Sequence, residues 1–243
     1  MKITFLGTSH GVPAKERYCQ SMLVENGENA YLIDAGAPVI DLLLRMNFDL
    51  KRLKAIFITH MHGDHISGLQ AIMDLASWYF KDMDFDVYLT EKERTECLEA
   101  LLDSYPNERV RRHLITGGGP VYEKDGMKVT AFPTTHMEAR NRPAYGFLLE
   151  TADQKLYISG DLNGEKIDYP DFINEDPVDL FVVECAHFAA EALCEKLQCC
   201  AAKTTAVIHT FPLDKYDVLK AAGGSLPCKL LLPEDGDIVE IGE

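Results

Sequence analysis

Within the run Thr59-His60-Met61-His62-Gly63-Asp64-His65-Ile66-Ser67-Gly68, three imidazoles and one carboxylate fall in six consecutive positions. A solvated polar loop has no need of that density of histidine; a metal site does. On an extended segment His60 and His62 point to the same side and can grip one ion, while Asp64 and His65, where the chain turns, can face a second. Neutral imidazole and carboxylate suit Zn, and mixed nitrogen and oxygen donors also suit Mn or Fe.

The elements that must hold this run are readable on both sides of it. Upstream, Leu53-Lys54-Ala55-Ile56-Phe57-Ile58 is short, apolar and β-branched, the pattern of a buried strand. Downstream, apolar residues at Ile66, Leu69, Ile72, Met73 and Ala76 keep helical spacing as far as Trp78. The histidines are therefore predicted in a loop where a strand ends and a helix begins.

The run resembles the His-x-His-x-Asp-His signature of the metallo-β-lactamase superfamily. Later positions match that family's further motifs in order: His136 in Pro133-Thr134-Thr135-His136, Asp161 in Ile158-Ser159-Gly160-Asp161, and His209 in Val207-Ile208-His209-Thr210. The resemblance spans nearly the whole chain. It implies an α/β fold, the four-layer αββα sandwich with two similar halves, and two divalent metal ions. In that scheme His60, His62 and His136 bind one ion, Asp64, His65 and His209 bind the other, and Asp161 bridges them. Apolar runs precede each later match (129–132, 156–158 and 206–208), so each ligand would sit at the end of a strand, on a rigid scaffold. Asp34 matches the family's early acidic motif, which supports the metal loop from behind; an Asx turn or helix cap is the other role open to it.

A finer resemblance lies in Phe5 to Arg17 and in Ile56 to Leu69, which are similar to the ribonuclease Z branch, whose members hydrolyse phosphodiesters. The chain departs from that branch at His10 and at Ala37-Pro38-Val39-Ile40, and no long Gly/Pro-rich insertion resembles the branch's tRNA-gripping arm. Glu184, after a predicted strand over 180–183, matches a glutamate that the branch pairs with a downstream histidine to protonate the leaving oxygen. The helix predicted over 189–200 contains no histidine, which leaves His187, or His10, as the proton donor. Helix capping or packing is the plainer role for His187. The resemblance thus implies a metal-bridging hydroxide as nucleophile, oriented by Asp64, with Glu184 and His187 serving the leaving group.

Composition narrows the substrate. Lys and Arg number 24 against 39 Asp and Glu, a formal net charge of −15, which opposes nonspecific attraction to nucleic acid. A small or cyclic-nucleotide phosphodiester is favoured over tRNA, with RNA retained as the ribonuclease Z-like option. A local basic patch has two candidates, Arg109, Arg111 and Arg112, for which a solvated helix face is the favoured reading, and Arg140 and Arg142, which follow His136 closely. A capped amphipathic helix is expected over 91–102, opened by Thr90 with Glu93 at capping-box spacing. Gly117-Gly118-Gly119-Pro120 reads as a turn.

The 243 residues, 47% of them apolar, are expected to form one domain over 1–243, because ligands scattered from 60 to 209 must converge. No apolar run approaches a membrane span, and Met1 to Leu6 alternates like a strand, so a cytoplasmic, membrane-free protein is expected. Seven cysteines without a C-x-x-C pair read as reduced thiols, Cys199 and Cys200 falling on the 189–200 helix. Nothing decides against a homodimer. The expected activity is a metal-dependent phosphodiesterase; thioester or lactone hydrolysis at the same metals is the enzymatic alternative, and a non-catalytic, metal-stabilised binding or sensor protein the alternative of another class.

Overall fold

The computed structural model describes residues 1–12, 14–102, 107–165 and 167–242; Pro13, within the stretch that resembles the ribonuclease Z branch, lies outside the described residues. The chain divides into two compact units, the first Met1–Thr116 with Glu234–Glu240, the second Gly117–Pro233 with the last residues from Ile241.

The first unit contains β1 (Lys2–Gly7), β2 (Ser21–Asn26), β3 (Asn29–Ile33), α1 (Val39–Arg45), β4 (Leu53–Phe57), α2 (Gly63–Ile66), α3 (Leu69–Trp78), β5 (Phe85–Leu89), α4 (Lys92–Glu99) and β6 (Val110–Leu114). Its sheet runs from the late strand Ile238–Glu240 through β1 to β6 in sequence order. Pairing is antiparallel from that late strand to β3 and parallel from β3 to β6. Parallel neighbours need a crossover, and α1, α3 and α4 supply these. Val39 and Leu43 of α1 and Leu69, Ile72 and Ala76 of α3 pack with Leu32, Ile56, Phe85 and Val87 of the sheet, an apolar layer that holds the ends of β3 and β4 in place.

The second unit contains β7 (Gly119–Lys124), β8 (Met127–Thr134), β9 (Ala144–Glu150), β10 (Lys155–Ile158), β11 (Leu180–Cys185), α5 (Ala190–Leu197), β12 (Thr204–Thr210), α6 (Lys215–Ala222) and β13 (Lys229–Leu231). Its sheet is also seven-stranded, again antiparallel at one end (β7 to β10) and parallel at the other (β10 to β13). Phe181, Val183 and Val207 of the sheet pack with Leu193 and Leu197 of α5 and Leu219 of α6. The α/β class and the two similar halves expected from the resemblance are both found.

Several local expectations are corrected. The single helix read from Ile66 to Trp78 is two, because Gly68 donates its N–H to Ala35 O (2.8 Å) and Ala37 N donates to Ser67 Oγ (2.9 Å), which breaks the ladder where the loop before α1 meets it. Only glycine fits there: a Cβ at position 68 would lie 2.7 Å from Val39 Cγ1 and 3.0 Å from Ala35 O. The capping box at Thr90 does not form, since Thr90 is itself buried and the helix starts after an extended Glu91; α4 buries no residue fully and meets the core only through the partly buried Leu98. Arg111 and Arg112 lie in the edge strand β6, with Arg109 just before it, not on a helix face. Arg111 pairs with Asp84 (2.7 Å) and Asp86 (2.8 Å) and Arg112 with Glu99 (2.6 Å), so these cations are neutralised by the unit's own carboxylates. Helix α5 ends at Leu197, leaving Cys199 exposed and Cys200 buried beyond it. All seven cysteines are free, as expected.

Candidate metal centre

In parallel sheets the ligand-bearing positions cluster at the carboxyl ends of the strands, and this holds in each unit. In the first, β3 ends in Asp34 and β4 leads through Ile58 and Thr59 to His60. Asp34 takes a left-handed backbone (φ 58°) and is 1% exposed. Its Oδ1 accepts from Thr59 N (2.8 Å) and Thr59 Oγ1 (3.0 Å), and its Oδ2 lies 2.7 Å from His65 Nδ1. Of the two roles open to Asp34, the structure therefore gives it support of the metal loop. Burial pushes the Asp34 carboxyl above the usual carboxylate range, while His65 and Thr59 pull it back.

His62 is extended (φ −75°, ψ 154°) and caps α2, whose single turn carries Asp64 and His65. His60 is fully buried, its Nδ1 3.1 Å from Thr59 Oγ1 and its Nε2 2.9 Å from His62 Nδ1. The His60 and His65 rings lie with centroids 4.1 Å apart, and His65 Nε2 is 3.3 Å from Asp64 Oδ2. All four residues of the run thus gather at one strand end. A histidine held at one nitrogen by a carboxylate presents the other to a metal, and the donor set is the one that divalent Zn takes.

In the second unit, His136 follows β8, Asp161 follows β10, Glu184 lies near the end of β11 and His209 in β12. His136 Nδ1 donates to Leu162 O (3.2 Å), which turns its Nε2 toward Asp161 Oδ2 at 3.7 Å. Burial lowers the His136 pKa against the pull of Asp161, favouring the neutral imidazole that binds metals. Asp161 Oδ2 is also 3.9 Å from His187 Nε2, and its Oδ1 is 3.8 Å from His209 Nδ1. Asp161, His187 and His209 offer ligand atoms within 4.8 Å of one another. His209 has φ 48°, beside a register shift between β11 and β12 after Glu184, a local irregularity of the kind that re-aims side chains at sites.

Glu184 is 2% exposed and fully engaged. Its Oε1 accepts from Leu162 N (2.9 Å) and His187 Nδ1 (2.7 Å), and its Oε2 from Ala186 N (2.6 Å) and His187 N (3.2 Å). His187 is thus aimed at Asp161 by Glu184 and does not cap α5, which starts at Ala190. The turn beside it needs a glycine, since a Cβ on Gly164 would lie 2.5 Å from His187 O. His10 sits in the first unit, its Nδ1 3.4 Å from Val12 N. Arg140 lies exposed in a short 3-10 turn, Glu138–Arg140, and Arg142 is half-buried just after it.

Two supporting residues carry no sequence motif. Asp168 accepts from Thr135 N and from Asn163 N (2.7 Å), and Asn163 Nδ2 donates to Thr135 O (3.0 Å). Together they tie the turn before His136 to the turn after Asp161. Thr59, read only as part of the histidine run, is the link between Asp34 and both His60 and His65.

The comparisons with known proteins agree with this layout. The family model described as Anti-Pycsar protein Apyc1 matches residues 1–198. The ribonuclease Z of Bacillus licheniformis is 31% identical over 173 residues, which are 69% of this chain and 53% of that protein. The chain spans about half the length of the first curated relatives it matches. Among solved structures, the metallo-β-lactamase fold protein YhfI from Bacillus subtilis superposes with a TM-score of 0.79 at 16% identity, over 99% of each chain. Human tRNase Z, short form, gives a TM-score of 0.76 at 19% identity over 100% of each chain. The chain belongs to the Anti-Pycsar protein Apyc1 family, and its fold is that of the metallo-β-lactamase fold proteins on which it superposes.

Proposed function

We propose that this chain is a metal-dependent phosphodiesterase acting on a small or cyclic-nucleotide phosphodiester. The observation that carries this reading is the hydrogen-bonded pair of Glu184 and His187, whose imidazole faces the carboxylate of Asp161. A hydrolase that must release an alkoxide needs a proton donor beside its ligands, and a structural metal site does not. The ribonuclease Z relatives, named for acting on RNA, support phosphodiester chemistry, and the net charge of −15 supports a small substrate over a polyanion.

In this proposal His60, His62 and His136 would hold one divalent cation and Asp64, His65 and His209 a second, with Asp161 completing the donor set. Zn fits these donors, as do Mn and Fe. When bound, such cations bring the pKa of water toward neutrality and stabilise negative charge on phosphoryl oxygens. The attacking water would lose one proton to bulk solvent before attack, and Asp64 would accept a hydrogen bond from the remaining O–H and orient the nucleophile. As the new P–O bond forms and the old one breaks, the His187 Nε2 proton passes to the leaving oxygen, and Glu184 stabilises the charged ring and fixes its direction.

The test is turnover of a cyclic nucleotide and of bis(p-nitrophenyl) phosphate by the Zn- or Mn-loaded protein. Chelation should abolish the rate, and His62→Ala should lower it by about 10²-fold or more. A wild-type rate no higher than that of His62→Ala would remove the proposal. Turnover of a thioester or lactone in its place would assign the acyl alternative, and inertness toward all three classes the non-catalytic one.

A further inference from the structure

The loop that carries His187 is held from a side that the Glu184 pair does not explain. Lys215, the first residue of α6, extends its half-buried side chain to that loop and donates from Nζ to Cys185 O (2.9 Å), Ala186 O (3.0 Å) and Phe188 O (2.6 Å). An ammonium has three protons, and all three are used. The acceptors bracket His187, two on its N-terminal side and one on its C-terminal side. Meanwhile the amides of Ala186 and His187 both donate to Glu184. The backbone of residues 185–188 is thus held by a cation through its carbonyls and by an anion through its amides, with the His187 ring hydrogen-bonded to that anion.

We propose that Lys215 is a positioning residue for the reaction: it fixes the peptide planes around His187 and so sets where the imidazole stands relative to Asp161. This rests on the reading of His187 as the group serving the leaving oxygen. The chemistry favours lysine here, because three carbonyls converging on one point match the tetrahedral ammonium, whereas a guanidinium spreads its donors in a plane. Small displacements of a group that acts on a reacting atom are costly, about 10²-fold for 1 Å.

The test compares Lys215→Met, Lys215→Arg and wild type, all metal-loaded, on two substrates. One has a poor, alkoxide leaving group (a cyclic nucleotide), and the other has p-nitrophenolate, which leaves without a proton. Lys215→Met should lose about 10²-fold in kcat on the first with KM nearly unchanged, and only a few-fold on the second, and Lys215→Arg should recover part of the loss. Amide hydrogen exchange over 185–189 should rise in Lys215→Met at unchanged metal content. Equal losses on both substrates, or kinetics and exchange matching wild type, would overturn the proposal. If Lys215→Met does not fold, Lys215→Arg carries the same comparison: a loss confined to the poor leaving group supports the role, and a uniform loss or none overturns it. If wild type turns over neither substrate, the phosphodiesterase reading fails, whereas unchanged exchange over 185–189 in folded Lys215→Met defeats the role of Lys215 itself.

Discussion

Asp34 in the first unit and Glu184 in the second are the same device used in two environments. Each is a buried carboxylate at the carboxyl end of a strand, and each holds a histidine Nδ1 at 2.7 Å. The difference lies in the histidine: the His65 side chain is 1% exposed and that of His187 33%. The remaining hydrogen bonds differ as well, for Asp34 is spent on Thr59 and through it on the metal loop, whereas Glu184 is spent on the amides of His187's own loop and of Leu162. A sealed imidazole with a fixed lone pair suits a permanent ligand. An imidazole open on one side suits a group that must meet a substrate and exchange its proton with solvent.

The largest effect that would test this contrast is at Asp34. Asp34→Ala leaves Thr59 and His65 without their acceptor in a buried setting and should destabilise the protein by about 3 kcal/mol, read by urea unfolding. It should also weaken metal binding by about 10- to 100-fold in a competition titration. Glu184→Gln should be milder on both counts, with metal content retained and kcat on a poor leaving group lowered by about 10-fold or more. Loss of metal from Glu184→Gln equal to that from Asp34→Ala would make the two pairs equivalent and break the comparison.

The smallest effect concerns the thiols beside each pair. Burial, with a contribution from Glu184 and against the pull of Lys215, pushes the Cys185 thiol up to about 12. Burial and Asp64 also raise Cys19. Alkylation needs the thiolate, and a raised pKa lowers the thiolate fraction at any pH below it. Raising the pH from 8 to 10 in the presence of iodoacetamide should therefore label the exposed Cys97 and Cys199 and leave Cys185 unlabelled, with Cys19 reacting slowly, as read by peptide mass spectrometry. Labelling of Cys185 ahead of Cys19 would mean that the floor under His187 opens more readily than the region around Asp64.

What could be read from the sequence follows from how each residue acts. The run from His60 to His65 declares itself because four candidate ligands, three imidazoles and a carboxylate, share one loop. His136, Asp161 and His209 stand alone in the sequence and became legible through the apolar strand before each and the order of the family's motifs. Asp34 was legible as an acid at a strand end but not as the partner of His65, since that bond spans 31 positions. Lys215 and Asp168 left no trace, because they bind backbone carbonyls and amides, which every residue has. Arg109 to Arg112 misled for another reason: a short charged segment has no apolar period from which to tell helix from strand, and pairing with β5 decided the matter.

The strand Ile238–Glu240 completes the edge of the first sheet against β1, and nearby Asp235 receives hydrogen bonds from Thr8 N (2.9 Å), Thr8 Oγ1 (2.7 Å) and Tyr18 N. The amino-terminal half of the molecule is consequently unfinished until residues made more than a hundred positions later have emerged from the ribosome. A fragment stopping at Thr116 would expose the outer edge of β1 as a template for stray pairing, so the two units are poor candidates for separate expression even though each has its own sheet.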